Sequence, residues 1–291
     1  MKTITYSAWT KNKEDLMNCS SGGMFYEFAK KMVADGGKVV GVVMDGLKAK
    51  YSISNDLEEI KKMRGSKYIP SNPAEVIKKI KKSGEKKILF VGLPCHIEAA
   101  KKMLDTSEMV LVDLKCHGLP KPGVFEEHVK KIAKGRKVKS VSFRNKKEGW
   151  DNKILTENGK ATAGHMLNIE FENGDKYKNH KDSFLINYLN MGGKNIQEHC
   201  KTCKKFNVGD ITIGDFWNVP PKLKNELGTS EVHINTLHGK DFFKSINTIN
   251  KHKVKFWQWF NKHSVFYSFK KFICELLLKM GLLDKIREVV K

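Results

Sequence analysis

The chain has 291 residues, of which 40% are hydrophobic, so it can bury a substantial core and does not have the composition of a disordered protein. Lys and Arg number 54 against 32 Asp and Glu, and the resulting net charge of +22 favours acidic partners. Because the lysines are spread along amphipathic helices such as "VIKKIKKSG", without arginine clusters interleaved with aromatic residues, we do not expect nucleic acid among those partners.

The first part of the chain predicts an α/β arrangement. The stretch "NCSSGGMFYEFAKKMVADGG" is typical of a helix that is capped by a serine and closed by Gly36 and Gly37, and a valine-rich strand follows near residues 38–44. Two further helices are predicted in "NDLEEIKK" and "NPAEVIKKIKK". We place the end of this N-terminal α/β domain near residue 85, so that the domain covers residues 1–85.

The second part begins with a predicted strand, helix and strand in "ILFVGLPCHIEAAKKMLDTSEMVLVDLKCHG". Such a βαβ unit usually has parallel strands. A helix near residues 121–134 and shorter strands follow, including a hairpin that turns at Asn173 and Gly174. The predicted fold class is α/β, with α+β character in the second half and mixed sheets flanked by helices; residues 86–250 form the second domain.

Two cysteines, Cys95 and Cys116, each follow a predicted strand of this βαβ unit. Loops that leave the carboxyl ends of adjacent parallel strands lie on one edge of the sheet, with strand axes about 4.8 Å apart. The two cysteines can therefore meet at one site. Cys200 and Cys203 form a C-x-x-C pair, a spacing that lets two thiolates bind one metal or cluster, and they bring the number of thiolates to four.

Several interpretations of these cysteines remain open. A tetrahedral zinc ion and a 4Fe-4S cluster both take four cysteines, and the combination of one pair with two single cysteines leans toward the cluster. Alternatively, Cys95 and Cys116 are small buried residues, which is common for free cysteine. In a further alternative, Cys95 at a helix N-terminus is a nucleophile activated by a nearby histidine.

No apolar stretch reaches the ~18 residues needed to cross a bilayer, and the first residues lack the apolar core of a signal peptide. We therefore expect a cytoplasmic protein. In that reducing compartment, the six cysteines are better explained by metal, cluster or catalytic roles than by disulfides.

Two short motifs have the chemistry of a phosphate or cofactor site. "SSGGMF" places two hydroxyls and two glycines at the start of a helix, where free N–H groups favour a phosphate, although a serine there is also a plain helix cap. "RGSKY" offers two cations and an aromatic ring that suit a phosphate and a stacked ring system, or simply an exposed loop. The candidate residues are Ser20, Ser21, Gly22, Gly23, Arg64, Gly65, Ser66, Lys67 and Tyr68.

A third motif, "GDFWN", follows a short predicted strand and carries one acid and two large aromatic residues. Its simplest interpretation is a turn in which Phe216 and Trp217 pack into the core.

Together these motifs resemble the coenzyme F-420 hydrogenase/dehydrogenase beta subunit family, a group of iron-sulfur flavoproteins. The resemblance runs from about residue 5 to about residue 250 and follows seven motifs in order: "SSGGMF", "RGSKYIPS", "GLPCHIEAAK", "DLKCHGLPKPGVFEEHV", "CKTC", "DITIGDFWN" and "GTSEVHINTLHGK". It implies FAD and a 4Fe-4S cluster as cofactors, with Cys95, Cys116, Cys200 and Cys203 as the cluster ligands. It also suggests that residues 20–23 and 65–68 face the flavin.

The chain departs from its relatives at two places. Many relatives carry a two-cluster ferredoxin segment before the serine-glycine turn, and this chain starts too late to contain one. We therefore expect electrons to come from a separate ferredoxin-like protein or redox subunit. Cys19 stands where relatives often have another serine, and it has no place in a four-ligand cluster.

The last residues, 251–291, lie beyond the resemblance and predict an amphipathic helical extension. Apolar residues recur with helical spacing from Phe266 to Leu283. This stripe is expected to pack on the body or on a partner subunit. Its aromatic start and basic flanks leave peripheral contact with a membrane surface as an alternative.

The sequence therefore predicts an oxidoreductase that passes electrons between a 4Fe-4S cluster, FAD and an external partner, which would be a deazaflavin coenzyme, a ferredoxin or another small redox substrate. Arg64 and Lys67 are the candidates for the nucleotide phosphates. The main alternative is a zinc-stabilised four-cysteine module that binds acidic partners such as nucleic acid or a membrane surface, and a Cys-His acyl enzyme is a third possibility.

Overall fold

The computed structural model describes residues 2–146, 150, 165–189, 195–217 and 219–254. The part of the chain up to residue 114 contains five strands and five helices. In chain order they are β1 Ile4–Thr10, α1 Lys13–Met17, α2 Met24–Ala34, β2 Lys38–Asp45, β3 Lys48–Ser54, α3 Leu57–Met63, α4 Ala74–Ser83, β4 Ile88–Gly92, α5 Pro94–Met103 and β5 Val110–Leu114.

The second half has shorter strands and helices. In chain order they are α6 Val124–Ala133, β6 Val138–Arg144, β7 His165–Phe171, β8 Lys176–Asn179, α7 Ser183–Leu189, α8 Glu198–Lys201, β9 Ile211–Asp215, the 3-10 turn Pro221–Leu223, β10 Ser230–Ile234, α9 Leu237–Lys244 and β11 Ile249–Lys253.

Eight of the described strands form one mixed sheet in the order β11-β1-β10-β9-β5-β4-β2-β3. The four strands β9, β5, β4 and β2 pair in parallel, and the strands outside them pair antiparallel. Helices pack against this sheet, so the predicted α/β fold class with mixed sheets is confirmed. The predicted domain boundary near residue 85 lies between α4 and β4, and strands from both sides of it share the sheet.

The predicted βαβ unit is present as β4, α5 and β5. Strands β4 and β5 pair in parallel from Leu89 with Val110 to Gly92 with Asp113, and β9 joins β5 in parallel from Val112 with Ile211. All three strands therefore end at the same edge of the sheet. This edge receives the loops that carry Cys95 and Cys116, together with the "GDFW" turn after β9.

A small antiparallel sheet, β6-β7-β8, is formed by three strands that follow one another in the chain. Its β7–β8 hairpin turns through Asn173 and Gly174 as predicted, and Gly174 has a φ of +89° that favours glycine. The inner face of this sheet buries Phe143 and Phe171 with residues of α6 and α7 in a second apolar cluster.

The main core lies under α2, whose end agrees with the prediction and whose start does not. The helix stops at Ala34 before Gly36, which has a φ of +79°. Its N-cap is Gly23, with a φ of +84° and no side-chain cap, so the predicted serine cap is wrong. The serines instead bond to other segments, as described below.

None of the described helices is long and apolar enough to cross a membrane. The amphipathic C-terminal helix predicted from the sequence falls on residues 255–291, which lie outside the described residues.

The packing of α2 on α9 gives a test of the core. Phe28 is fully buried, with its ring edge-on to Phe242 and Phe243 at 5.8 and 6.2 Å between centroids. We expect Phe28→Ala to lower the free energy of unfolding by about 3–5 kcal/mol, because it removes apolar contacts and leaves a cavity. The matched control is Leu237→Ala on α9, since Leu237 is 64% exposed. Urea unfolding followed by circular dichroism measures both; equal midpoints would contradict this packing.

Candidate functional site

A cavity of about 1250 Å³ lies where β4 and β5 end. Residues 93–96, which follow β4, and residues 116–119, which follow β5, line it together with residues 199–205 around the C-x-x-C pair. The structure thus brings together the four cysteines that the sequence singled out: Cys95, Cys116, Cys200 and Cys203.

Backbone geometry fixes the first two thiols. Cys95 is the second residue of α5, after Pro94, and the nearby backbone N–H groups of Cys95 and His96 lower the pKa of its thiol. The Cys116 sulfur accepts a hydrogen bond from the Gly118 N–H at 3.4 Å. These N–H groups favour the thiolate, but burial outweighs them, and the pKa of both thiols is raised.

The C-x-x-C pair is attached to the Cys116 loop by backbone hydrogen bonds. The Gln197 N–H donates to the Leu119 carbonyl at 2.9 Å, and the Lys121 N–H donates to the Asn195 carbonyl at 2.6 Å. Gly118 has a φ of +103°, and a Cβ there would lie 3.3 Å from the Cβ of Cys200. The glycine therefore lets the two cysteine loops approach each other closely.

The thiols also affect one another electrostatically. Burial raises the pKa of Cys116, and the neighbouring thiolates of Cys95, Cys200 and Cys203 raise it further. Burial likewise raises the pKa of Cys95, with further increases from Cys203 and Cys200. Deprotonation of all four thiols together would therefore need a cationic centre to offset the repulsion between them. Within the described ranges, no group of three or more His, Cys, Asp or Glu residues is arranged to hold a single metal ion.

The geometry argues against the Cys-His acyl enzyme. A catalytic cysteine needs a lowered pKa, whereas burial raises that of Cys95. The adjacent His96 directs its Nδ1 at the Tyr51 hydroxyl, 2.8 Å away, and burial lowers the pKa of His96 to about 4. His96 is thus a neutral group held by a tyrosine.

The serine-glycine turn and the "RGSKY" loop contact each other. The Ser66 N–H donates to Ser20 Oγ at 2.7 Å, and the two hydroxyls lie 3.0 Å apart. Gly22 is pressed against the sheet, since a Cβ there would lie 2.2 Å from the Ala8 carbonyl oxygen. Neither motif lines the cavity; residues 69–72, which directly follow the loop, do.

Both candidate cations of the loop have partners within the protein. Arg64 Nη1 lies 3.2 Å from Asp15 Oδ1, and its guanidinium stacks over the Tyr26 ring at 4.8 Å. Lys67 Nζ donates to the carbonyls of Met63 and Arg64 at 2.8 and 2.9 Å, at the end of α3. Burial lowers the pKa of Lys67 to about 7. These contacts stabilise the loop itself.

Arg144 joins the three motifs, and the sequence analysis missed it. Its guanidinium donates to the Ser20 carbonyl at 2.7 Å, to Asp215 Oδ2 at 2.8 Å and to the Tyr68 hydroxyl at 3.0 Å. The side chain is 3% exposed. The only sequence signal is a single arginine at the end of a predicted strand, which is ordinarily a surface residue.

The "GDFW" turn is only in part the core turn that the sequence suggested. Phe216 is buried, but Trp217 is 45% exposed. The Trp217 ring stacks on the buried Trp150 with 4.8 Å between centroids and 7° between planes. Trp150 Nε1 donates to the same Ser20 carbonyl that Arg144 binds.

Family models match most of the chain. Residues 5–78 match the coenzyme F-420 hydrogenase/dehydrogenase beta subunit N-terminal model, and residues 85–256 match the C-terminal model of the same subunit. The chain belongs to this family. Membership in the coenzyme F-420 hydrogenase/dehydrogenase beta subunit family supports an oxidoreductase role.

The comparison with solved structures agrees with the fold. The chain is similar to a chain of the F-420-reducing nickel-iron hydrogenase complex from Methanosarcina barkeri, with a TM-score of 0.60 and 19% identity. The match covers 86% of this chain and 81% of that one. No curated protein matches the chain.

The role of Arg144 can be tested by its removal. Arg144→Ala leaves the Asp215 carboxylate, which is 18% exposed, without its cation and leaves the Ser20 carbonyl with one donor fewer. We expect the free energy of unfolding to fall by about 3 kcal/mol, as when one partner of a buried ion pair is removed. Lys50→Ala is the control, because its pair with Asp45 is 60% and 63% exposed, and we expect no measurable change. Chemical denaturation measures both variants. Similar losses of unfolding free energy would contradict the larger contribution assigned to the buried Arg144–Asp215 pair.

Proposed function

We propose that this chain is an iron-sulfur flavoprotein oxidoreductase in which Cys95, Cys116, Cys200 and Cys203 hold a 4Fe-4S cluster. The observation that carries the proposal is the convergence of four thiols on one cavity in a member of this family. When bound, such a cluster passes single electrons, and a flavin exchanges them for two-electron chemistry.

The arrangement of donors supports a cluster over a zinc ion. Zinc binds thiolates at about 2.3 Å, which places its four sulfurs within roughly 4 Å of one another. The described part of the chain has no group of three ligands arranged around a single ion, although the four thiols share a cavity and act on one another electrostatically. One C-x-x-C pair with two single cysteines, in place of the two pairs usual in structural zinc sites, favours the four-iron cluster.

The remaining part of the cavity suits a planar organic cofactor, and we assign FAD to it. Residues 47–49 and 69–72 form this part, and they include both apolar side chains and the hydroxyl of Ser71. Such a mixture is typical of cofactor sites. The adjoining motifs do not line this part of the cavity. The Ser20–Ser66 hydrogen bonds join residues 20–23 to residues 64–68, and this contact supports residues 69–72, which follow in the chain. Their proposed part in flavin binding is therefore mainly one of positioning.

Within this arrangement the protein's own groups have defined tasks. When a cluster is bound, the Gly118 N–H would donate to the Cys116 sulfur, and the N–H groups at the start of α5 would favour negative charge on the Cys95 sulfur. Gly118 lets the loops of Cys116 and Cys200 approach each other closely. Arg144 holds the Ser20 backbone next to Asp215 at the end of β9.

The electron partner is proposed to be an acidic ferredoxin-like protein or a redox subunit. Lys201, Lys204 and Lys205 are exposed close to Cys200 and Cys203, and Lys48 also lines the cavity. Lys201 is paired with Glu198 and Lys205 with Glu98. Positive charge next to an electron entry point steers an acidic carrier toward it. The small-molecule substrate, a deazaflavin coenzyme or another redox compound, would then reach the flavin side.

The cofactor assignment is tested by assaying iron, zinc and flavin in protein purified without oxygen. We expect about four irons per chain, a broad shoulder near 400 nm and flavin bands near 450 nm. Cys116→Ser should lose most of the iron, whereas the matched variant Cys19→Ala, whose thiol does not line the cavity, should keep it. One zinc with neither iron nor flavin would instead establish the binding-module alternative.

The docking surface is tested by its salt dependence. We expect Lys204→Glu to slow reduction by an acidic ferredoxin severalfold at low ionic strength, with the difference shrinking as salt screens the charges. Lys253→Glu, an exposed position on β11 that does not line the cavity, is the control and should leave the rate close to that of the wild type. Stopped-flow kinetics at increasing salt measures both. A salt-independent rate would contradict electrostatic docking.

A further inference from the structure

His96 lines the cavity that also contains the four cysteines and the residues assigned to the flavin. It follows Cys95 in α5 and lines the cavity together with Ser71. Its Nδ1 is 2.8 Å from the Tyr51 hydroxyl, and the two rings meet nearly edge to face at 71°. The imidazole is therefore held in one orientation.

The hydrogen bond to Tyr51 sets which nitrogen of His96 carries the proton. The Tyr51 hydroxyl and His96 Nδ1 are 2.8 Å apart. We assign the phenol O–H as the donor and Nδ1 as the acceptor, because both groups can take these roles when neutral. A neutral imidazole that accepts at Nδ1 carries its hydrogen on Nε2.

Gly92 shows that the backbone leaves room for this pair. A Cβ at Gly92 would lie 2.6 Å from Tyr51 Oη and 3.3 Å from His96 Cβ. The glycine that ends β4 in "VGLPCHI" is thus required by the tyrosine and histidine packed against it. His96 Nε2 makes no hydrogen bond to any residue in the described ranges.

We propose that His96 is a positioning residue whose Nε2–H, oriented by Tyr51, donates a hydrogen bond to the redox group bound in the cavity. This inference rests on the proposed function. The acceptor is an electron-rich atom that becomes more negative on reduction, either a sulfur of the cluster or a heteroatom of the flavin ring. A donor to such an atom stabilises the reduced form and raises its reduction potential.

The test is an anaerobic redox titration of the loaded protein, with the cluster followed by electron paramagnetic resonance and the flavin by absorbance. In His96→Phe, which keeps a planar ring and removes the N–H, we expect the affinity for the electron to fall about tenfold, which is 59 mV for a one-electron couple. The group whose potential falls identifies the acceptor. Tyr51→Phe should shift the same potential in the same direction by a smaller amount, because the ring remains but its orientation is no longer fixed.

Two further variants separate this role from a structural one. His96→Gln can restore an N–H donor and should return the potential toward the wild-type value, whereas a purely structural defect would lower thermal stability without moving the potential. His238→Phe, at a half-exposed position on α9 that does not line the cavity, should leave both potentials unchanged.

Unchanged potentials in His96→Phe that retains its iron and flavin would overturn this inference alone. Absence of both iron and flavin from the wild-type protein would overturn the proposed function, and this inference with it. If His96→Phe does not fold, the reduction potentials of Tyr51→Phe and wild type are compared instead, and unchanged potentials in Tyr51→Phe would overturn the inference.

Discussion

The parallel pairing of β4, β5 and β9 is the constraint on which the rest of the site depends. Because the three strands run in the same direction in register, their carboxyl ends stop at one edge of the sheet. That edge brings together loops that are distant in sequence. The three strands are buried almost throughout, so core packing determines their positions. The loops of the site therefore start from fixed points.

The features that the sequence predicted correctly are those with a local physical signal. The βαβ unit is encoded by apolar runs and an intervening amphipathic helix, and the hairpin by Asn173 and Gly174. From parallel topology alone, the meeting of Cys95 with Cys116 could be expected. The addition of the C-x-x-C pair rested on the chemistry of thiolates, and the structure places the pair at the same cavity through hydrogen bonds to the Cys116 loop.

The features that the sequence did not predict depend on contacts between distant segments. Arg144 bonds to residues more than 70 positions away in either direction, and no local pattern marks an arginine as buried. The serines of "SSGG" illustrate the same limit. A serine before a helix usually caps it, but Ser21 donates to the Thr229 carbonyl and the Gly22 N–H donates to Ser230. Here the tertiary contacts with the strand β10 region outcompete the local cap.

The thiols at the cavity differ in their access to solvent, and this difference bears on chemical durability. Cys95 and Cys203 are exposed, whereas Cys116 and Cys200 are partly covered. Oxidants and alkylating reagents reach exposed sulfurs first, so modification of the cofactor-free protein would begin at these two residues. A molecule bound over residues 201–205 would shield Cys203 from such reagents.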